Sequence, residues 1–534
     1  MKTKHRQSKP PDVDGDLAAA VRHHQAGRVS EAIEHYQRVL ELEPDNLSAL
    51  INLGAAHRQT GALENAETSL RRAVEINPNH GGTHYNLGNT LKDMGRLEDA
   101  ANSFRRAVQL DPELAAAHNN LGDALSSLGQ TDRAVECYQQ ALQVSPDNPD
   151  ALNNLGNAYK RLGNFPDAIT CLEKAATLAP GNPEMRNNLG SALRDSGHHS
   201  EAVDCFQAAL SIAPDHPAAH CLLAFARLAE GDYGAGWREY EWRWKSSEHE
   251  APRIFPQPLW DGSPLAGKTI LVWGEQGIGD EIMFASMLDE LIITAGSVLF
   301  ESEHRMVPLF QRSFPTASVY DRTDPPASDL VSATADWQIS LGSLGQFLRP
   351  TRDSFPEPGA YLKADAEMVA AFRRRYTELA GGRRLVGISW RSGNQETGSQ
   401  RSTQLTDWLP ILSDENSRFV NLQYGDVADE IAALNAHHGI PVHHDETVNQ
   451  LENMDDFAAQ VASLDLVISV ANTTVHVAGA LGVETWALLA SPADWRWRLD
   501  GTATPWYASV SLRRQPSHGD WDRLLAETAR ELRS

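Results

Sequence analysis

The strongest constraint on this chain is a period of 34 residues that runs from residue 17 to about residue 245. Prolines recur at Pro44, Pro78, Pro112, Pro146, Pro180 and Pro214. Glycines recur at Gly27, Gly61, Gly95, Gly129, Gly163, Gly197 and Gly231, and alanines at Ala32, Ala66, Ala100, Ala134, Ala168 and Ala202. A Leu-Gly pair keeps the same register at Leu53-Gly54, Leu87-Gly88, Leu121-Gly122, Leu155-Gly156 and Leu189-Gly190. Such strict spacing admits only repeat architectures, in which each unit buries its apolar face against the next. The Leu-Gly glycine and the small alanine let two antiparallel helices approach closely. The second glycine ends the first helix and the proline stops the second. Ala19-Ala20 stands where Leu-Gly is expected, as in an N-terminal capping repeat.

In period and residue type this stretch matches the tetratricopeptide pattern, which implies helix pairs stacked into a superhelix with a groove lined by the first helices. Asn52, Asn86, Asn120, Asn154 and Asn188 form one further column, each one residue before the Leu-Gly pair. A ladder of carboxamides can bond both N–H and C=O of an extended peptide, so these five are candidate acceptor-binding residues for a protein or peptide partner. The alternative is that asparagine is simply usual at this position of such repeats.

Composition excludes other classes. The formal net charge is −24, so nothing neutralises phosphates in bulk and a nucleic-acid partner is not expected. No apolar run reaches the length of a membrane span. The first nine residues are basic but lack an apolar core, so no signal peptide is expected. Cys137, Cys171, Cys205 and Cys221 show neither disulfide nor zinc spacing. They read as small core residues in a reducing cytoplasm.

All 13 tryptophans follow residue 236, where the sequence GWREYEWRWK closes the repeats. Trp237, Trp242 and Trp244 are expected to seal the last repeat. The resulting division is a tail over 1–16, repeats over 17–245, a proline-containing linker over 246–267, and two α/β domains over 268–380 and 381–534. The first α/β domain opens on KTILVWGEQGIGDEIMFASMLD: an apolar strand, a glycine turn, then a helix. That is the start of a βαβ unit, and ligands bind at the carboxyl ends of such strands. Gly277 and Gly279 form the turn and Asp280 faces the expected crevice, unless it only complements the helix dipole. Strands are also expected over 297–301, 317–320, 337–340, 385–390, 418–422, 464–470 and 485–489.

The second α/β domain carries another candidate site. The strand LDLVISV ends at Val470, and Asn472, Thr473 and Thr474 open the helix VHVAGALG. Asn472 or Thr473 is a good N-cap, and free N–H groups there suit a diphosphate. His476 lies one turn in, as a packing residue or a ligand contact. After LVGISW, a polar loop holds Arg391, Gly393, Asn394 and Arg401. Its arginines could hold phosphates or remain solvated.

Residues from about 230 to 534 resemble the heptosyltransferase-type glycosyltransferase module (family 9) often fused to tetratricopeptide repeats in bacteria. The motifs are GWREYEWRW, LWDGSPLAGKTILVWGEQGIGD, LDLVISV with TTVHVAGALG, and DWRW followed by PWY. The architecture is also similar to protein O-GlcNAc transferases. The resemblance implies a GT-B fold of two Rossmann-like domains, a nucleotide-sugar donor and no other cofactor. It further implies metal-independent inverting transfer with Asp280 as base. Gly277, Gly279, Arg391, Asn394, Arg401, Asn472, Thr473, Thr474 and His476 are then the donor-binding candidates. One departure is Ala471, where the family usually has Asp. A non-catalytic scaffold and a glycan-directed heptosyltransferase-like enzyme are the alternative readings.

Overall fold

A computed structural model of the chain describes residues 13–534 apart from 247–250, 333, 358, 394–397, 399 and 400. The described residues fall into two compact units, divided between Ala192 and Leu193.

Up to Ala192 the chain is a tetratricopeptide-like array of helix pairs. Val13–Gln25 pairs with Val29–Leu42, Leu47–Gln59 with Leu63–Ile76, and Gly81–Asp93 with Leu97–Leu110. Ala115–Ser127 then pairs with Thr131–Val144, and Pro149–Arg161 with Phe165–Leu178. The first helix starts at Val13, so it takes in residues the sequence assigned to the tail. The helix-ending glycines adopt positive φ in every repeat, such as +76° at Gly61 and +74° at Gly129. Close approach decides the other glycine column: a Cβ on Gly122 would lie 2.5 Å from the Tyr138 ring. The repeating alanines Ala32, Ala66, Ala100, Ala134 and Ala168 are fully buried.

From Leu193 onward, helices His199–Ile212, Pro217–Glu230 and Tyr233–Tyr240 continue the pattern and join one body with two parallel sheets. Their apolar faces share a core with the first sheet, through Ala224, Leu228, Tyr233 and Trp237. Trp237 is buried and donates its indole N–H to the Arg349 carbonyl (2.9 Å). Trp244 packs on Trp273. Trp242 stacks on His220 of helix Pro217–Glu230 and lies under the Lys245 ammonium.

The first sheet holds β1 (Thr269–Trp273), β2 (Ser297–Ser302), β3 (Ser318–Asp321) and β4 (Trp337–Ser340) in the order β3-β2-β1-β4. The second holds β5 (Arg384–Ser389), β6 (Ser417–Asn421), β7 (Val442–His443), β8 (Leu466–Val470), β9 (Thr485–Leu489) and β10 (Val510–Arg514). Its order is β10-β9-β8-β5-β6-β7. All neighbours in both sheets are parallel. Strands β1, β8 and β9 are buried almost throughout, as a sheet covered on both faces requires. Strand order reverses between β1 and β4 and again between β5 and β8. Those reversals are where crevices open at the carboxyl ends of parallel strands.

Among the described residues no helix is long and apolar enough to cross a membrane. The cysteines form no disulfide; Cys221 is buried, whereas Cys137, Cys171 and Cys205 are only half-buried.

Candidate functional site

The glycine turn after β1 leads into helix Ile278–Ala285, with Gly277 as its N-cap residue and Asp280 in its first turn. The turn is held from below. Arg243 is buried and donates to both Glu275 carboxylate oxygens (2.8 Å each), while Glu275 also accepts from the Gly342 N–H (2.8 Å). Gln276 has φ of +60°, a left-handed backbone rare for a residue with a side chain, and its amide donates to the Tyr240 hydroxyl (2.6 Å). Strain of this kind persists where surrounding contacts over-determine the backbone.

Asp280 does not stand alone. Its Oδ1 accepts from Arg496 Nε (2.7 Å) and from Arg496 Nη2. Arg496 Nη1 reaches Asp494 Oδ1 (2.7 Å), and Arg401 donates to Asp494 Oδ2 (3.0 Å). Two carboxylates and two guanidiniums therefore alternate in one partly buried cluster. Burial raises the Asp280 carboxyl above its ordinary value, with Arg496 opposing. Burial pushes Asp494 the same way, but Arg496 and Arg401 outweigh it and hold the group well below the carboxylate range. Sequence reasoning named Asp280 and Arg401 and missed Arg496 and Asp494. The only available signal was the DWRW motif, 216 residues from Asp280.

The second half of the site comes from β8. Asn472 caps helix Thr473–Leu481, its Oδ1 accepting from the Thr474 N–H (2.9 Å). Its amide also donates to the Ser389 hydroxyl (2.7 Å) and the Arg391 carbonyl (2.9 Å), tying the end of β8 to the end of β5. The expectation of several free N–H groups at this helix end needs correction. The cap takes the Thr474 N–H, and the Val475 N–H bonds the Asn472 carbonyl (3.1 Å). Among the described residues, the Thr473 N–H keeps no such partner, and the buried Thr474 hydroxyl oxygen is without a hydrogen bond.

The two halves meet at Gly279 and His476. A Cβ on Gly279 would lie 3.0 Å from the His476 ring, so a side chain here would press on the imidazole. His476 Nδ1 pairs with the Tyr507 hydroxyl (2.8 Å) and its ring packs on Trp497. Burial, followed by the charge of Arg496, lowers its pKa to about 3, so it is a neutral imidazole. Arg391 pairs with Glu430 (2.8 Å). Asn394 lies outside the described residues. Trp495 and Trp506 are buried core residues. No group of three or more His, Cys, Asp or Glu among the described residues could hold a metal ion.

The asparagine column is also engaged. Asn120 donates to Asn89 Oδ1 (2.7 Å), Asn154 to Asn119 Oδ1 (3.1 Å) and Asp123 Oδ1 (2.9 Å), and Asn188 to Asn153 Oδ1 (2.9 Å). These bonds run from each repeat to the one before. At three of the five positions the side-chain amide expected to face a peptide thus donates at least one N–H between repeats. All five side chains, Asn52 and Asn86 included, are half-buried.

Residues 2–221 match the family model described as the cilia and flagella-associated protein 70 C-terminal domain. Protein FlbA of Caulobacter vibrioides is 34% identical over 332 residues, which is 58% of this chain and 55% of FlbA. The chain thus spans about half the length of that curated relative. Among solved structures, MamA is 25% identical, with 32% of this chain and 92% of MamA covered and a TM-score of 0.29. YrrB, described as a TPR protein with an unusual peptide-binding site, is 21% identical over 34% of this chain and 95% of its own, with a TM-score of 0.31. The repeat period, the paired helices and the family match agree: the N-terminal part of the chain is a tetratricopeptide-like repeat array.

Proposed function

We propose that residues 193–534 form a GT-B glycosyltransferase module that moves a sugar from a nucleotide-sugar to an acceptor hydroxyl, and that the repeat array recognises a protein acceptor. The observation that carries this reading is the meeting of two strand-order reversals at one place. Asp280 after β1 and the capped helix after β8 approach through the Gly279–His476 contact. In the proposed reaction the acceptor oxygen bonds the anomeric carbon from the face opposite the leaving group. Its proton passes to Asp280 Oδ2, since both Arg496 bonds fall on Oδ1. The bond from the anomeric carbon to the diphosphate breaks, and its electron pair stays on the nucleotide. The Thr473 N–H, the Thr474 hydroxyl and the Arg401–Arg496 pair supply the donors for that developing charge. As Asp280 becomes neutral, Arg496 is released from it and turns its charge towards the leaving group. The test is incubation of the full chain with a panel of nucleotide-sugars, read by mass spectrometry as release of nucleotide. The expected result is release from one sugar class; release from none sinks the proposal.

A further inference from the structure

A cavity of about 530 Å³ opens among the first helices of the array, lined among others by Lys92, Asp123, Ser126, Ser127, Lys160 and Arg161. Pockets for small ligands span about 300–1,000 Å³, so the space is ample for one or two side chains. The sequence explains why a cavity forms there. Four residues after the repeat glycine, the column reads Arg58, Lys92, Ser126, Lys160, Arg194; the next column reads Gln59, Asp93, Ser127, Arg161, Asp195. Arg58 of the first column pairs with Asp93 of the second in the next repeat (2.9 Å). Ser126 and Ser127 break the pattern. They leave space, and Ser127 removes the carboxylate that Lys92 would meet by the Arg58–Asp93 pattern. Arg161 instead donates to the Ser126 hydroxyl (2.8 Å), and among the described residues no carboxylate pairs with it. Lys92 turns to Asp123 Oδ2 (3.4 Å), whose other oxygen already accepts from Tyr138 (3.0 Å) and Asn154 (2.9 Å). Lys160 donates to the Ser191 hydroxyl (2.9 Å). The lining thus carries Lys92, Lys160 and Arg161 but a single carboxylate, Asp123, in a chain of net charge −24.

We infer that the Ser126–Ser127 gap is a specificity pocket for an extended peptide segment carrying adjacent acidic side chains. A carboxylate entering it replaces the neutral Ser126 bond of Arg161 with a charge-assisted one, the stronger kind. The inference rests on reading the repeat array as a protein-recognition arm. It does not depend on transfer, so it is tested without any nucleotide.

The experiment is fluorescence anisotropy on the full chain with three labelled peptides, identical except for a central Glu-Glu, Gln-Gln or Lys-Lys. The Glu-Glu peptide should bind at least tenfold more tightly than Gln-Gln, with Lys-Lys weakest and the preference fading at high salt. Arg161→Gln should weaken Glu-Glu binding about tenfold and narrow the gap to Gln-Gln. Ser126→Arg with Ser127→Asp refills the column and should abolish binding; circular dichroism reports whether the fold persists. Arg161→Gln decides alone if the refilled variant unfolds. Equal affinity for Glu-Glu and Gln-Gln, no binding of any peptide, or full binding by a folded refilled variant overturns the inference.

Discussion

At the scale of the residue, the site is decided by which backbone and side-chain groups keep a hydrogen bond to give. Thr473 is the sharpest case, because the Asn472 cap has taken its neighbours. Proline at this first helical position keeps a helix-compatible φ and removes that N–H together with the Thr473 hydroxyl. Thr473→Pro should therefore weaken nucleoside diphosphate binding several-fold with little change in Tm, checked by calorimetric titration and a thermal melt. Unchanged affinity would place the donor away from this helix. Glu281, next to Asp280, serves the fold instead. Burial pushes its pKa from 4.5 up to about 7, against the Glu303 N–H that bonds its carboxylate. The folded state thus binds a proton that the unfolded state has lost, and stability contributed by that proton fades as pH rises from about 4.5 through about 7. Glu281→Gln keeps an acceptor for Glu303 and has no proton to lose. Its Tm should rise relative to wild type across that interval, and a difference flat in pH would contradict the buried-acid account.

Among elements, the repeats are tied together by the asparagine column as well as by apolar packing. Asn120→Ala with Asn154→Ala removes bonds to Asn89, Asn119 and Asp123. At about 1 kcal/mol net per bond, partly offset by the helix propensity of alanine, the double variant should lose about 2 kcal/mol in urea unfolding. An unchanged midpoint would show that the ladder contributes nothing to repeat cohesion. From sequence, this column read either as a peptide surface or as residues usual at that repeat position, since which partner an amide meets in the preceding repeat is set by superhelix geometry. The helix pairs themselves were legible because period, glycines and alanines all act within one repeat. The same holds for β1 and β8, whose buried apolar runs stand beside glycine or capping residues. The two-residue β7 carries too little pattern to find. In β10, Val510 and Leu512 alternate with polar residues at a sheet edge, a weaker signal than a buried run. Arg496 escaped for a different reason: no local pattern announces an ion pair to a residue 216 positions away.

For the whole molecule, the account joins an acidic chain, a repeat array with one cationic gap, and two parallel sheets whose strand-order reversals meet around Asp280. The central claim is that Asp280 is a general base. Asp280→Asn is nearly isosteric, and Arg496 keeps Asp494 as a partner, so folding and nucleotide binding should persist. The decisive measurement compares wild type and Asp280→Asn for sugar transfer from the donor selected by the nucleotide-sugar panel, with nucleotide affinity and Tm measured in parallel. The account predicts transfer reduced by roughly 10² to 10⁴, the usual span for a general base, with affinity and Tm retained. Transfer near the wild-type rate would contradict it and leave Asp280 as a residue that only pairs with Arg496.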